Sequence, residues 1–418
     1  MLTMDRHVGR PGAGQRASAG VAALRQGAGR TLPWRAGVVA LAVGLAVGLS
    51  GLLAAGRVTA ADEPGEHVYF GNWVAYIDID EETGAYPTLE RFTEETGIEV
   101  TYVEEITDNE VTFNLLLPDL AAGNPTGRDL LALTDWMVER MIRLGYVEEL
   151  DHSLLPDFLA NVRPIYRDSW FDPGNRYSVP YVSGVVGIAY DPNLTGREIT
   201  SFDDLLDPAF AGQVGMFSEM RDTMSLALLS IGVVPTEATI EDVEAAQQKL
   251  LEASRRGQFR DFYGNEYYDE LAAGNLWVTM AWGGDVTQIQ LYDNPNVRFV
   301  VPETGGMLYT DNMIIPKGAA NPVGAQMLMD HFYDPENAAS LIEYIGYFSP
   351  VQGVDELVLR HAEEARAAGD DETADYLEVI AAGVYPNEEQ LEHLYDYKIL
   401  DEEEERIWNE LFNEVVLG

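Results

Sequence analysis

The 418-residue sequence contains no cysteine. This absence excludes a disulfide-stabilised scaffold, a zinc site built on thiolates and a cysteine nucleophile. Histidine is also scarce, with six residues in the whole chain, so a histidine-rich metal centre is poorly supplied with ligands. We therefore expect a protein with no cofactor and no bound metal.

Positively charged residues are also few. Lysine and arginine together number 26, against 70 aspartates and glutamates, which gives a formal net charge of −44. Because phosphate recognition needs basic patches, we expect no nucleic-acid partner, and cations are the natural counterpart. Most of the acidic residues are expected to form a solvated surface, since a binding site needs only a few carboxylates.

A long apolar run occurs once, near the N-terminus, at residues 36–55. Residues 1–60 carry seven arginines and one acid, and small residues follow the run at 58–61. A basic flank, an apolar stretch and small residues after it predict a cleaved export signal over residues 1–60 and a mature protein that works outside the cytoplasm. The alternative is a retained membrane anchor, because a run of 20 residues is just long enough to span a bilayer.

Strand-like and helix-like patterns alternate along the rest of the chain. The predicted strands cover residues 67–72, 98–103, 129–133, 177–190, 212–217, 276–281 and 297–301, and the predicted helices cover residues 87–95, 136–144, 220–231, 240–254, 321–332, 336–344 and 388–416. This alternation indicates an α/β fold with largely parallel sheets. Since no low-complexity linker follows residue 66, we expect two domains between which the chain crosses more than once.

Aromatic residues stand at turns and at the ends of predicted strands, several of them with an acid close by. Open α/β sheets bind ligands beyond the carboxyl ends of their strands. Aromatic faces attract cations, and carboxylates complete the match to ammonium groups. Each residue alone is also compatible with core packing or with the capping of a helix or turn. The combination predicts a cation-binding site made from Trp73, Tyr76, Trp136, Trp282, Tyr309, Tyr347, Glu219, Asp222, Asp285 and Asp311.

The stretch HVYFGNWVAY at residues 67–76 resembles the opening of periplasmic spermidine/putrescine-binding proteins, in which a strand ends in Asn-Trp and a tyrosine follows three residues later. Other stretches are similar to the same family, in the same order along the chain. They are FTEETGIEVTY at 92–102, DLLALTDW at 129–136, YSVPY at 177–181, WGGD at 282–285, GGMLYTDNMIIP at 305–316 and IGYFSP at 345–350. The resemblance therefore covers about residues 67–353.

This resemblance implies a two-lobed periplasmic-binding-protein fold, in which each lobe is a mostly parallel sheet flanked by helices and crossover hinge segments join the lobes. Lobe 1 would comprise residues 66–182 and 310–353, and lobe 2 residues 183–309 and 354–418. The implied protein is a monomeric receptor, not an enzyme. It captures a linear polyamine between its lobes and delivers it to a membrane ABC permease.

The resemblance also implies roles for the site residues. The six aromatic residues named above would surround the methylene chain, the four acids would hold the ammonium groups, and Thr134 lies where the family has a small hydroxyl residue. Two positions depart from the family pattern, since Ala75 stands where an acid is frequent and Asp135 where a smaller residue is frequent. The acid missing at position 75 leaves the preferred amine open.

The residues themselves leave two alternatives. A receptor of the same fold could take another solute: Arg221 could clamp the carboxylate of a zwitterionic amine, Tyr267 and Tyr268 could contribute to a metal site, and a sugar is a third candidate. A secreted hydrolase that uses two carboxylates is the other alternative. The sequence offers it no nucleophile elbow, zinc-binding helix motif or phosphate loop.

Overall fold

The computed structural model of the chain describes residues 63–80, 83–383 and 391–418. The predicted export signal at residues 1–60 lies outside the described residues. Within the described ranges, no helix combines the length and the apolar character needed to cross a membrane.

Ten strands are described, and several of them are buried along their whole length. They are β1 (His67–Trp73), β2 (Glu99–Ile106), β3 (Leu130–Thr134), β4 (Ser178–Tyr190), β5 (Val214–Phe217), β6 (Phe259–Tyr263), β7 (Val278–Trp282), β8 (Arg298–Val300), β9 (Gly306–Ile314) and β10 (Leu394–Tyr395). All residues of β3, β4 and β5 are buried. Strands covered on both faces favour apolar residues, which explains why these three sequences are mostly apolar.

The described helices are mostly short and flank these strands. They are α1 (Pro87–Thr96), α2 (Asn109–Ala122), α3 (Asp135–Arg143), α4 (Pro156–Asn161), α5 (Pro192–Thr195), α6 (Met220–Leu229), α7 (Ile240–Arg255), α8 (Tyr267–Ala272), α9 (Gly283–Tyr292), α10 (Pro322–His331), α11 (Pro335–Ile345), α12 (Val354–Ala368), α13 (Asp371–Gly383) and α14 (Glu402–Leu417). Short 3-10 helices cover His152–Leu154, Pro164–Tyr166, Phe202–Leu206, Pro208–Phe210 and Pro235–Glu237.

Local sequence determines where several of these helices begin. Helix α7 opens with a capping box, in which Asp242 Oδ2 accepts from the Thr239 N–H at 2.9 Å and Thr239 Oγ1 accepts from the Asp242 N–H. Helix α14 opens with the same arrangement between Asp401 and Glu404. These reciprocal hydrogen bonds satisfy backbone N–H groups that have no partner inside the helix.

One mixed sheet runs through the described chain in the strand order β2-β1-β3-β9-β4-β7-β5-β6. At one end β1 is parallel to β2 and β3, and at the other end β5 is parallel to β6 and β7. Between these ends β4 and β9 are antiparallel to each other. We call the first end, with the helices packed on it, the β1–β3 side, and the second end, with its helices, the β5–β7 side.

Strands β4 and β9 belong to both sides. The C-terminal end of β9 pairs with β3 and with the start of β4, whereas the second half of β4 pairs with β7. Midway along β4, Ser183 exchanges two backbone hydrogen bonds with Phe348, at 3.0 and 2.9 Å. The predicted α/β class with crossover segments is confirmed, and the crossover strands make the sheet continuous.

Most predicted elements agree with the structure to within a few residues, but one prediction is wrong. Residues 388–416 were expected to form a helix; in their described part they contain β10, a non-helical stretch up to Asp401, and then α14. Pairing of β10 with β9 overrides the local helical preference of this acidic stretch. The predicted boundaries of the two lobes stay a prediction.

Candidate functional site

A cavity lies where the two sides of the sheet meet. Its volume is about 40 Å³. Most of its wall is buried, with Trp73 7% and Asp311 3% exposed, whereas Trp282 and Asp285 are half-buried. Fourteen residues line it: Trp73, Val74, Tyr76, Asn109, Thr134, Glu219, Asp222, Asn265, Trp282, Asp285, Tyr309, Asp311, Tyr347 and Tyr397.

Ten of the eleven residues predicted from the sequence line this cavity. The exception among the described residues is Trp136, which is buried in the first turn of α3. Its ring faces Arg221, whose guanidinium carbon lies 4.7 Å from the ring centroid. Trp136 therefore packs against Arg221 outside the cavity lining, and the expectation that it forms part of the wall is not met.

Asp311 is fixed at the centre of the site by strand pairing. It lies opposite Thr134 of β3 and Val182 of β4. Its carboxylate accepts from Tyr76 Oη at 2.7 Å and from Thr134 Oγ1 at 2.8 Å. Burial raises the pKa of Asp311 to about 6, against the opposing effect of these two hydrogen bonds.

Asp285 is held by two phenols from different parts of the chain. Tyr267 Oη donates to its Oδ2 at 2.8 Å, and Tyr347 Oη donates to its Oδ1 at 2.7 Å. The backbone N–H of Trp282 in turn donates to Tyr267 Oη at 3.0 Å. Burial raises the pKa of Asp285, and its position in the first turn of α9 favours the ionised form.

Asp222 and Glu219 approach the cavity from the start of α6. Asp222 accepts a short hydrogen bond from Tyr397 Oη, and burial, with the nearby charge of Asp311, raises its pKa to about 7. Glu219 Oε1 accepts from the Asn109 backbone N–H at 3.0 Å and from Asn109 Nδ2 at 3.1 Å. Burial raises the pKa of Glu219 well above its ordinary value, and the contact with Asn109 joins the two sides across the cavity.

Neighbouring rings hold the aromatic residues of the cavity wall in place. The ring of Trp282 stacks on Phe217, with centroids 4.3 Å apart and planes 25° apart, and meets Tyr267 edge to face at 5.6 Å. On the opposite wall the rings of Tyr76 and Tyr347 are 5.1 Å apart at 79°. Such rings keep their orientation because their neighbours leave no room for rotation.

Two glycines allow the tyrosine rings to close the cavity. A Cβ atom at Gly184 would lie 2.5 Å from Tyr309 Oη, and one at Gly284 would lie 2.5 Å from Tyr347 Cδ2. Both distances are below van der Waals contact, so any larger residue at these positions would displace a ring of the wall.

Four lining residues were not predicted: Val74, Asn109, Asn265 and Tyr397. Ala75, the departure from the family pattern, is exposed, has a φ of 55° and donates its N–H to Glu104 Oε1 at 3.0 Å. The second departure, Asp135, is buried beside the cavity and accepts the Trp136 N–H at 2.6 Å. Position 75 is thus directed to the surface, and the cavity retains four acids without it.

Fold and cavity together define the class of this protein. Two α/β sides joined by crossover strands, with a cavity of rings and acids at the junction, make a two-lobed solute-binding protein. The sequence matches the model of the bacterial extracellular solute-binding protein family over residues 88–368. The chain belongs to this family of solute-binding transport proteins.

Individual relatives agree with this assignment. The spermidine/putrescine-binding periplasmic protein 1 of Haemophilus influenzae is 31% identical over 292 residues, covering 70% of this chain and 76% of that protein. The putrescine/cadaverine-binding protein of Pseudomonas aeruginosa is 31% identical over 308 residues, covering 71% and 81%. The solved spermidine/putrescine ABC transporter substrate-binding protein PotD of Streptococcus pneumoniae is 26% identical, with a TM-score of 0.64, covering 84% and 99%. The predicted resemblance and the two-lobed fold are confirmed.

Proposed function

We propose that the chain is an extracytoplasmic receptor that captures a linear polyamine and delivers it to a membrane ABC permease. The composition of the cavity carries this proposal. Six aromatic rings and four carboxylates line it, and none of the described lining residues is basic. Relatives named for spermidine, putrescine and cadaverine support the same class of ligand.

Burial explains why a polyamine would fit this site. A cation over a desolvated aromatic ring gains about 0.5–2 kcal/mol, and a buried carboxylate avoids a cost of several kcal/mol when it is paired and hydrogen-bonded. The rings would cover the methylene chain while the acids hold the ammonium groups. Because the acids come from both sides of the sheet, the ligand makes its full set of contacts only when the cleft is shut.

The zwitterion alternative requires Arg221 to face the ligand. Instead Arg221 Nη1 donates to the Lys398 carbonyl at 2.7 Å, and Nη2 lies 3.3 Å from Glu405 Oε1. Its guanidinium also faces Trp136. The described cavity wall thus contains no cation for a ligand carboxylate.

The metal alternative requires converging ligands at Tyr267 and Tyr268. These two phenols donate to different carboxylates, Asp285 and Asp293. Among the described residues, no group of three or more histidine, aspartate and glutamate side chains is placed to hold a metal ion. The geometry therefore favours an organic cation.

The organisation of the whole protein belongs to the same proposal. We assign residues 66–182 and 310–353 to lobe 1 and residues 183–309 and 354–418 to lobe 2, with the hinge in the middle of β4 and β9. The receptor is periplasmic and monomeric, and residues 1–60 are its export signal. Mass spectrometry of the secreted protein separates a cleaved signal from a retained anchor.

Isothermal titration calorimetry tests the proposed function. Putrescine, cadaverine, spermidine, a zwitterionic amino acid and ferric iron are each titrated into the protein. We expect at least one polyamine to bind with micromolar affinity, equivalent to about −8 kcal/mol. Saturable binding of the zwitterion or of iron alone would contradict the proposal.

The aromatic wall gives a separate prediction. Trp282→Ala should weaken polyamine binding about tenfold, because it removes the cation–π and apolar contact of the indole. Trp170→Ala is the matched control, since Trp170 is 41% exposed and meets Phe171 edge to face away from the cavity lining. Equal affinities for a folded Trp282→Ala protein and the control would remove Trp282 from the site.

A further inference from the structure

A second contact joins the two sides of the sheet outside the cavity. It is a cluster of four charged side chains: Glu110 and Arg140 of the β1–β3 side, and Arg221 and Glu405 of the β5–β7 side. Glu405 lies in the first turn of α14. That helix is anchored on α7, where Gln247 Nε2 donates to Glu414 at 3.1 Å.

Glu405 bridges the two arginines. Its Oε1 lies 2.9 Å from Arg140 Nη1 and 3.3 Å from Arg221 Nη2. Glu405 is 5% exposed and Arg221 4% exposed. Ion pairs this deeply buried are poorly screened by salt, and their geometry counts for more than that of a surface pair.

Within this cluster, each arginine keeps a carboxylate when the two sides separate. Arg140 also donates to both oxygens of Glu110 on its own side, at 2.9 and 3.1 Å. Arg221 stays next to Glu405 on the other side. In the cluster, opening breaks the Arg140–Glu405 contact and moves Arg221 away from the ring of Trp136. Such a contact favours the shut arrangement and remains reversible. Elsewhere, opening also breaks the hydrogen bonds from Arg143 to the Leu400 carbonyl and from Asn109 to Glu219.

We propose that Glu405 is a positioning residue that holds the two sides shut and so sets how long a bound solute is retained. It lies outside the described cavity lining and acts through Arg140. Loss of the bridge lowers the population of the shut state, and the apparent dissociation constant rises in proportion. The affinity consequence rests on the proposed polyamine function, whereas the effect on closure does not.

Closure is measured without any ligand. The chain has no cysteine, so the exposed pair Asn114→Cys on α2 and Glu244→Cys on α7 introduces unique sites for spin labels. Pulsed dipolar spectroscopy then reports the distance between the sides. In the ligand-free protein, Glu405→Gln should shift the distance distribution to longer values. The control Glu410→Gln should leave it unchanged, because the described ion pair of Glu410 is with exposed Arg406 on the same helix.

Retention is measured with putrescine and spermidine as probes. For whichever of them binds the unsubstituted protein, Glu405→Gln should raise the dissociation rate and the dissociation constant about tenfold, with the association rate changed less than twofold. A lowered melting temperature with unchanged dissociation rate and unchanged distances would show a merely structural role and overturn the proposal.

A second variant keeps the test decisive. Arg140→Gln removes the same contact but leaves Glu405 paired with Arg221. It should therefore lengthen the distances between the labels and raise the dissociation rate, even where Glu405→Gln folds poorly. If the unsubstituted protein binds no polyamine, the proposed function fails. Even then, longer distances between the spin labels in both variants would support the proposal that Glu405 holds the two sides shut, and unchanged distances would exclude it.

Discussion

Asp311→Asn is expected to raise the dissociation constant for the bound polyamine about a hundredfold, equivalent to about 2.7 kcal/mol. Asp311 is 3% exposed, and its described partners, Tyr76 and Thr134, are neutral donors. The asparagine keeps the shape of the side chain but removes the charge that faces the ammonium group. Removing one member of a buried charge pair leaves the other uncompensated, which typically costs 2–5 kcal/mol.

Two comparisons make this measurement specific. Glu219→Gln should have a smaller effect, because Asp311 lies on the central strand β9 opposite Thr134 and Val182, whereas Glu219 lies at the start of α6. Asp330→Asn is the control: burial raises the pKa of Asp330 to about 6, as it does for Asp311, but its carboxylate caps α4 outside the cavity lining. A larger loss for Glu219→Gln than for Asp311→Asn would refute the assignment of Asp311 as the main anchor.

The second large effect is the change of the dissociation constant for polyamine with pH. Burial raises the pKa of Asp222 to about 7 and of Asp311 to about 6, from 3.8. The amines of the ligand stay protonated throughout the range, since alkyl ammonium groups lose their proton near pH 10. Binding requires both carboxylates to be ionised, so the dissociation constant should be about a thousandfold higher at pH 5 than at pH 8.

The stability of the ligand-free protein should fall as pH rises, whereas the affinity for polyamine should increase. Between about pH 4 and pH 7 the folded state holds more protons than the unfolded state, because the folded pKa values of Asp222 and Asp311 are raised. The free energy of unfolding therefore falls as pH rises through this window. Bound polyamine keeps the carboxylates ionised, so the ligand-induced rise in melting temperature should grow with pH.

Calorimetry in buffers of different ionisation enthalpy counts the protons directly. At pH 6.5 we expect about one proton to be released per polyamine bound, mostly from Asp222. Asp222→Asn should remove most of that release. A dissociation constant that stays constant from pH 5 to pH 8 would mean that the acids are already ionised in the empty cavity.

Much of the site could be predicted because its residues stand at the ends of strands. Trp282 ends β7, Thr134 ends β3, and Asp311 lies opposite Thr134, so motif positions in the sequence translate into positions at one junction of the sheet. Trp136 shows the limit of this reasoning. It follows a strand end equally closely, but α3 begins at Asp135, and the indole faces Arg221.

Asn109 and Tyr397 could not be predicted for two different reasons. Asn109 begins α2, a helix with apolar residues on several faces and an internal Pro118, so no periodic pattern marks it. Tyr397 lies in an acidic stretch whose composition favours a helix, and only pairing of β10 with β9 reveals its extended course. In both cases the informative contact is made with a residue more than one hundred positions away, Glu219 and Asp222 respectively.

The cavity draws its wall from residues as far apart as Trp73 and Tyr397. A chain growing from its N-terminus has therefore made nearly all of its length before the last phenol is available to Asp222. A chain that ends before Tyr397 lacks both part of the cavity wall and the phenol that donates to Asp222.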